Sequence, residues 1–269
     1  MMRSRRTTGG AWAATVLLAV VPVGAQETID AAETIERAAA QELEDVGGWY
    51  GYAFVRRVVR ESYDPAGAVT EREVLIFRCI PAGNRFDELL IERDGQVPTE
   101  RDVAEHRDAA RFSRHLRMAL TGSTDPERHE SFTAILTGLE LHEWRYRGLD
   151  DVGGRRCHRF EMLPSPEPRR APLEVRLAAA QVGTVWLEVG TLHIVRAEIT
   201  LDRKVSAYGL VRIEKLAITS VHGPVPEGGW LPQEIEVVSE VKVPLKRMRK
   251  RNYYEYSEFD RVDSPALDR

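Results

Sequence analysis

The sequence lacks the short motifs that mark common catalytic sites. It contains no G-x-S-x-G nucleophile motif, no P-loop and no G-x-G-x-x-G dinucleotide motif. His129 and His142 are each followed by glutamate, as in a zinc-protease helix, but no second histidine follows at the required spacing. Ser239 and Lys242 have S-x-x-K spacing but lie inside a predicted strand, where that motif needs a helix start. We therefore expect no enzyme, no cofactor and no metal site.

The sequence also lacks an excess of basic charge. It has 38 lysines and arginines against 42 aspartates and glutamates, which gives a net charge of −4. Proteins that bind nucleic acid carry a basic patch or a high isoelectric point. A nucleic-acid partner is therefore not expected, and we predict a monomer.

Cysteine is scarce, with only Cys79 and Cys157 in 269 residues. An exported protein can form a disulfide, but the Cα atoms of its cysteines must lie within about 7 Å. Several predicted elements separate these two positions, so two separate buried thiols are favoured. A single disulfide is the alternative.

The only long apolar run lies at the start of the sequence. Arg3, Arg5 and Arg6 precede the apolar segment Ala11–Val23, and small residues follow it up to Ala25. Such a run is too short to span a bilayer and is typical of a cleaved secretory signal peptide over residues 1–25. No cysteine stands near the cleavage site to form a lipobox. We expect a periplasmic or secreted protein.

The longest patterned region, from Val182 to Phe259, consists of apolar-rich segments of strand length. Residues 195–201 alternate apolar and polar side chains in strict period two, as in a strand with one buried face. Short turns containing Gly or Pro separate the segments and predict an antiparallel meander. The predicted strands are Val182–Val189, Leu192–Lys204, Leu210–Val221, Trp230–Val243 and Arg251–Phe259.

The residues before residue 99 predict a helix followed by another meander. Glu27–Asp45 has an Ala-rich apolar stripe and acidic residues near its start, and Gly47 follows as a stop signal. The next segments are rich in β-branched and aromatic residues and are separated by turn residues. The predicted strands are Trp49–Glu61, Thr70–Ile80 and Arg85–Arg93.

The middle of the chain predicts an insertion and a hairpin. Thr99–Leu120 begins with a capping threonine and has the charge pattern of a surface helix, so we expect a helical insertion over residues 99–137. Leu139–Arg147 and Arg155–Leu163 predict a hairpin with its turn at residues 150–154.

These elements predict an α+β fold that is mainly β: a highly curved antiparallel sheet, or incomplete barrel, covered by helices. Leu173–Gln181 is a predicted short helix after the proline-rich loop 164–172. We expect one half-barrel domain over residues 26–260 and a disordered tail over residues 261–269.

The segment from Gly183 to Glu198 carries a resemblance to a known family. Its pattern is small–x–apolar–Trp–apolar–acidic, then a gap, then apolar–x–apolar–x–Arg–x–Glu. It resembles the central hairpin of the bacterial outer-membrane lipoprotein-sorting (LolA-like) superfamily, and Tyr254–Phe259 is similar to the last strand of such proteins. The resemblance implies an exported branch with an open barrel that binds a lipid or the acyl group of a lipoprotein, as a periplasmic carrier would.

The concave face of an open barrel needs helices or a ligand to fill it. The alternative to a ligand site is a core filled by the protein's own helices, as in a structural or partner-binding module of the cell envelope. Alternating aromatic residues favour such a core when considered alone. The predicted ligand-binding residues are Phe54, Phe77, Leu90, Trp144, Phe160, Trp186, Ile199, Ile213, Val237 and Tyr256.

The most concentrated positive charge lies between two predicted strands, at residues 246–251. One interpretation is a solvated hairpin end. The other is a contact with an anionic membrane surface or an acidic partner, worth about 1 kcal/mol per basic side chain. The predicted contact residues are Lys246, Arg247, Arg249, Lys250 and Arg251.

Overall fold

The computed structural model describes residues 29–83, 85–107, 141–166, 168, 171, 173–207 and 211–262. The predicted signal peptide and most of the predicted insertion lie outside these described residues, as does nearly all of the predicted tail. The helices are α1 (Ala31–Trp49), α2 (residues 100–107) and α3 (Leu173–Ala179). The strands are β1 (Tyr52–Tyr63), β2 (Val69–Pro81), β3 (Phe86–Arg93), β4 (Trp144–Val152), β5 (Arg155–Met162), β6 (Gln181–Glu188), β7 (Ile194–Leu201), β8 (Val205–Ala207), β9 (Val211–Pro224), β10 (Trp230–Val243) and β11 (Lys246–Arg261).

All eleven described strands belong to one antiparallel sheet that is not closed into a barrel. The strand order is β3-β2-β1-β11-β10-β9-β7-β6-β5-β4, and the short β8 pairs with β9. The two predicted meanders meet where β1 pairs with β11, so the first and last described strands lie side by side, third and fourth in the strand order. This arrangement confirms the predicted fold class.

The sheet curves around α1. The strand path contains ten strands, which would span roughly 43 Å if flat, at about 4.8 Å per gap. A 19-residue helix is about 28 Å long and about 10 Å wide. Even so, α1 contacts strands across most of this width. Its residue Trp49 meets Phe86 of β3 and Tyr256 of β11, while Ile35 packs with Phe160 of β5.

The register of the strands defines two faces. Partners across an antiparallel ladder point to the same side of a sheet. We call the side that packs on α1 the inner face and the other side the outer face. One row of partners across the inner face is Tyr146, Phe160, Val185, Ala197, Ser220, Ile235, Tyr254, Val58 and Leu75.

The first helix begins and ends later than the predicted Glu27–Asp45. Asp30 is the N-cap: its side-chain oxygen accepts a hydrogen bond from the backbone N–H of Glu33 at 3.1 Å. The helix continues through Gly48 to Trp49, because the buried Trp49 ring packs with Phe54 and Tyr256. Tertiary packing thus overrides the glycine stop signal.

The predicted five-residue turn at residues 150–154 was wrong. Asp150 and Asp151 belong to β4 and pair with Cys157 and Arg156. The turn contains only Gly153 and Gly154, whose φ angles are 59° and 77°. A two-residue hairpin turn with two positive φ angles follows the strand twist, and two glycines adopt it without strain.

The basic run was placed wrongly between two strands. The last strand begins at Lys246 instead of Arg251, so all of residues 246–251 lie in β11. The turn before it consists of Pro244 and Leu245 alone, because Val243 already pairs with Lys246. A basic strand is compatible with the ladder because acidic side chains on neighbouring strands meet its arginines.

The two cysteines are separate buried thiols, as favoured from the sequence. Cys79 lies in β2 and Cys157 in β5, and both are free and fully buried. Burial raises the pKa of the Cys79 thiol to about 12, which keeps it protonated and unreactive.

Gly183 provides a test of the close approach of β6 and β7. A Cβ atom at this position would overlap the backbone oxygen of Glu198. We expect Gly183→Ala to lower the free energy of unfolding by about 2 kcal/mol, because backbone must move to make room. Gly48 in α1 has open space around its Cα, so Gly48→Ala is the matched control and should cost nothing. Urea unfolding of both variants measures the difference, and equal stabilities would contradict the assigned contact.

Candidate functional site

Part of the inner face is apolar and incompletely covered. Six apolar side chains from β9, β10 and β11 point to the inner face and are half-buried, and the half-buried Ser239 and Asn252 lie among them. None of them belongs to the buried clusters around α1. We call this group the open floor. It consists of Ile213, Leu216, Ile218, Val237, Val241 and Met248.

The remainder of the inner face is packed. One cluster surrounds Trp49 of α1 and includes Phe54, Phe77 and Tyr256. Another surrounds Ile35 of α1 and includes residues from β5, β6 and β7. The three phenylalanines of these clusters, at positions 54, 77 and 160, have exposed fractions between 0 and 2%. In this half, the protein's own side chains fill the inner face.

The ten predicted ligand-binding residues separate into four groups, one of which is Trp186 alone. Nine have inner-face registers or pack in the clusters on that face, and Trp186 does not. It pairs with Arg159 and Arg196 and lies on the outer face, where its Nε1 donates to Asp150 at 3.1 Å. Those within the packed part are Phe54, Phe77, Phe160, Ile199 and Tyr256, those near the sheet edges are Leu90 and Trp144, and those in the open floor are Ile213 and Val237.

The helix α2 is attached to the inner face at the β2–β3 edge. The Glu88 carboxylate lies 2.7 Å from the Arg56 guanidinium and 3.7 Å from His106 of α2. The His106 ring stacks against Phe77 with centroids 4.6 Å apart. These two partners hold the pKa of Glu88 low, at about 2, although burial opposes the shift. The charged group fixes the start of the predicted insertion above the apolar sheet.

The same helix shows the predicted capping of its first turn. Asp102 accepts hydrogen bonds from the backbone N–H and the hydroxyl of Thr99, at 2.8 and 2.6 Å. In return, the backbone N–H of Asp102 donates to the Thr99 hydroxyl. Asp102 also pairs with Arg93 of β3 at 2.6 Å. A capping box and an ion pair together set where α2 begins.

A second polar group lies beneath α1. Glu42 and Asp45 project from the helix toward the sheet, where His222 and His193 meet them at 4.0 and 2.7 Å. Glu42 and His222 are almost fully buried. The His193 ring stacks on Trp230 with centroids 4.9 Å apart. The group anchors the end of α1 to β7, β9 and β10.

Burial shifts the pKa values of this group strongly. It raises the pKa of Glu42 to about 8, with a further contribution from the negative charge of Asp45. It lowers the pKa of His222 to about 3. Both side chains are therefore neutral near pH 7.

Sequence reasoning missed Glu42 as a buried residue, although a signal exists. Ile35, Ala38, Glu42 and Trp49 follow the spacing of one helix face. Three of the four are apolar and buried, so an acid at the remaining position predicts a buried carboxyl with a polar partner. Its partner His222 stands in a strand far along the chain and carries no comparable local signal.

The five predicted contact residues divide between the two faces. Arg247, Arg249 and Arg251 lie on the outer face. Two of them pair with carboxylates, and Arg249 stacks over the Tyr63 ring at 5.2 Å. Lys246 and Lys250 have inner-face registers on either side of Met248 and are exposed. Within the described part of the chain, neither lysine forms an ion pair.

The described residues offer no sign of metal chemistry or of a membrane span. Among them, no three His, Cys, Asp or Glu side chains converge as metal ligands would. No helix in this part of the chain has the length and apolar character needed to cross a bilayer.

No protein-family model matches the sequence, and no curated protein is significantly similar. Several solved structures are similar over most of their length. A domain from Vibrio parahaemolyticus named for outer-membrane lipoprotein sorting has 11% identity and a TM-score of 0.40, covering 87% of this chain and 93% of its own. A LolA superfamily protein from Nitrosomonas europaea has 12% identity and a TM-score of 0.29, with coverage of 88% and 96%. The lipoprotein LppX of Mycobacterium tuberculosis has 10% identity and a TM-score of 0.27, with coverage of 83% and 95%.

The buried pair predicts two opposite pH dependences of stability. Glu42 holds its proton in the folded state up to about pH 8 but loses it near 4.5 when unfolded, so stability falls as pH rises through this window. His222 stays neutral in the folded state down to about pH 3 but gains a proton below 6.5 when unfolded, so stability falls as pH drops below 6.5. Between pH 6.5 and 8, only Glu42 of this pair contributes.

We expect the urea midpoint of the parent protein to fall as pH rises from 6.5 to 8. Glu42→Gln should remove this fall. His222→Gln is the matched comparison: it should keep that fall and reduce the loss of stability below pH 6.5. Urea unfolding from pH 4 to 9 measures both profiles. A Glu42→Gln profile parallel to the parent between pH 6.5 and 8 would contradict the buried neutral carboxyl.

Proposed function

We propose that the open floor binds the acyl chain of a lipid or of an acylated protein. One observation carries the proposal: the apolar inner face continues beyond α1 as a row of half-buried side chains from Ile218 and Val237 to Met248. A linear hydrocarbon fits such a row because it needs no specific polar partner along its length.

The energetics are sufficient for binding. Each buried methylene contributes about 0.8 kcal/mol, so a chain of about 14 methylenes contributes on the order of 11 kcal/mol before the costs of association. After several kcal/mol of such costs, a micromolar dissociation constant remains within reach. An acyl chain that is buried along its length therefore needs no ligand-specific polar pocket.

Two cations lie where the headgroup of such a ligand would emerge. Lys246 and Lys250 flank Met248 at the end of the open floor, and neither has an anionic partner among the described residues. This position supports an anionic amphiphile. Of the five predicted contact residues, Lys246 and Lys250 are the two that lie on the inner face. With the expected export, such a protein serves as a periplasmic carrier.

A structural or partner-binding envelope module is the second candidate function. It is favoured by the packed half of the inner face, where the exposed fractions of Phe54, Phe77 and Phe160 do not exceed 2%. In this alternative, the protein's own helices also cover the open floor, and no foreign hydrocarbon enters.

Two neighbouring valines of β10 separate the candidates. Val237 points into the open floor, and Val238 points to the outer face beside Arg251. We expect Val237→Glu to weaken binding of a fluorescent fatty-acid analogue to the delipidated protein at least tenfold. The new carboxylate would lose its hydration when the acyl chain of the analogue packs beside it. Val238→Glu should bind like the parent protein.

Fluorescence titration measures the affinities, and circular dichroism checks that both variants are folded. Absence of saturable binding by the parent protein supports the self-filled module. Equal affinity of the two variants would place any binding outside the open floor.

A further inference from the structure

The turn between β10 and β11 presents a leucine that the fold does not use. Leu245 has a relative exposure of 108%, the highest among the exposed large apolar residues. Its φ angle is 67°, in the left-handed region that leucine disfavours. Proline followed by a residue with positive φ is typical of the two central positions of a type II turn. Glycine is preferred at the second of these, which Leu245 occupies here.

Leu245 therefore destabilises its own turn and gains no packing in return. A strained residue at an exposed tip indicates a role outside the folding of the chain. Among the described residues, Val97 is also nearly fully exposed, at 88%, and follows β3, but its φ angle is not positive.

The ladder pairing on both sides of this hairpin stops before the tip. Pairing of β11 with β1 stops at Arg249, and pairing of β10 with β9 stops at Lys242. Three residues of β11 precede Arg249, so the tip extends about 10 Å past that pair at about 3.3 Å per residue.

Positive charge surrounds the tip. Residues 241–251 contain six basic side chains, at 242, 246, 247, 249, 250 and 251, and no acidic one. Lys242 lies on the outer face and Lys246 on the inner face, so cations stand on both sides of Leu245. Neither lysine is in an ion pair with any described residue.

We propose that Leu245 is the apolar anchor with which the β10–β11 tip enters the surface of an anionic bilayer. An acidic protein would meet the cations but would need its own pocket for the leucine. An anionic bilayer supplies headgroups for Lys242 and Lys246 and hydrocarbon for Leu245 at matching depths. Insertion of the tip would bring Met248, at the end of the open floor, to the membrane surface. This consequence matters for function only if the open floor binds an acyl chain, and in that respect the inference rests on the proposed function.

Vesicle partitioning tests the anchor. The exported form of the protein is mixed with vesicles of phosphatidylcholine, with or without phosphatidylglycerol, and the bound fraction is measured by sedimentation. We expect binding to the anionic vesicles only, falling as salt is added. Leu245→Gly should lower the partition coefficient about tenfold or more, and Val97→Gly should leave it unchanged.

The Leu245→Gly variant is chosen so that a loss of vesicle binding cannot be caused by misfolding. Glycine is preferred at this φ, so we expect Leu245→Gly to unfold at the same temperature as the parent or higher. Partitioning of Leu245→Gly equal to the parent overturns the proposal, and so does absence of parent binding to anionic vesicles.

A second readout separates this proposal from the acyl-binding function. Leu245→Gly should still bind the fluorescent fatty-acid analogue in solution with parent affinity, because the side chain does not line the open floor. If the parent protein binds anionic vesicles through Leu245 but does not bind the analogue, the membrane anchor stands and the acyl-binding function fails.

Discussion

The structure depends on the mismatch between one wide apolar sheet face and α1, the one long helix among the described residues that packs on it. The sheet has ten strands in its path, and α1 has only 19 residues. Curvature brings strands near both sheet edges onto the same helix. The apolar surface that α1 leaves uncovered is the open floor, and the candidate function follows from it.

Buried polar groups fix the positions of the two helices that contact the inner face. Asp45 attaches α1 to His193, Glu42 lies buried 4.0 Å from His222, and Glu88 links α2 to Arg56. Buried polar partners restrict how a helix docks more tightly than apolar contacts, because an unsatisfied polar group is costly. These polar contacts therefore help to set where α1 and α2 lie on the inner face.

The outer face and the hairpin tip differ in how their charges are used. Arg247 and Arg251 lie along the strand in ion pairs with glutamates of the neighbouring strands. Lys242 and Lys246, nearer the tip, lack such partners in the described part of the molecule. The lysines that flank Leu245 are therefore less closely paired than the arginines farther along the strand.

The sequence by itself determined the antiparallel meanders, the presence of α1 and the capped start of α2. Period-two alternation and the Thr99 cap are local signals, which report on residues near each other in the chain. The boundaries of Trp230–Val243 agree with the sequence prediction because turn residues flank that strand. The turn at Gly153–Gly154, the end of α1 and the start of β11 were misplaced, because each depends on a partner strand or a packing contact.

Only the tertiary structure decided which apolar residues share a face and which remain uncovered. Trp186 lies in a strand with the predicted alternation of side chains, but the register places it on the outer face. The face on which a side chain lies depends on how its strand pairs with the neighbouring strands. The meeting of Glu42 with His222 joins positions 180 residues apart in the chain. Such a contact cannot be predicted from the local sequence pattern. The two residues are brought together by the curvature of the sheet and the docking of the helix, which arise only when the whole sheet assembles.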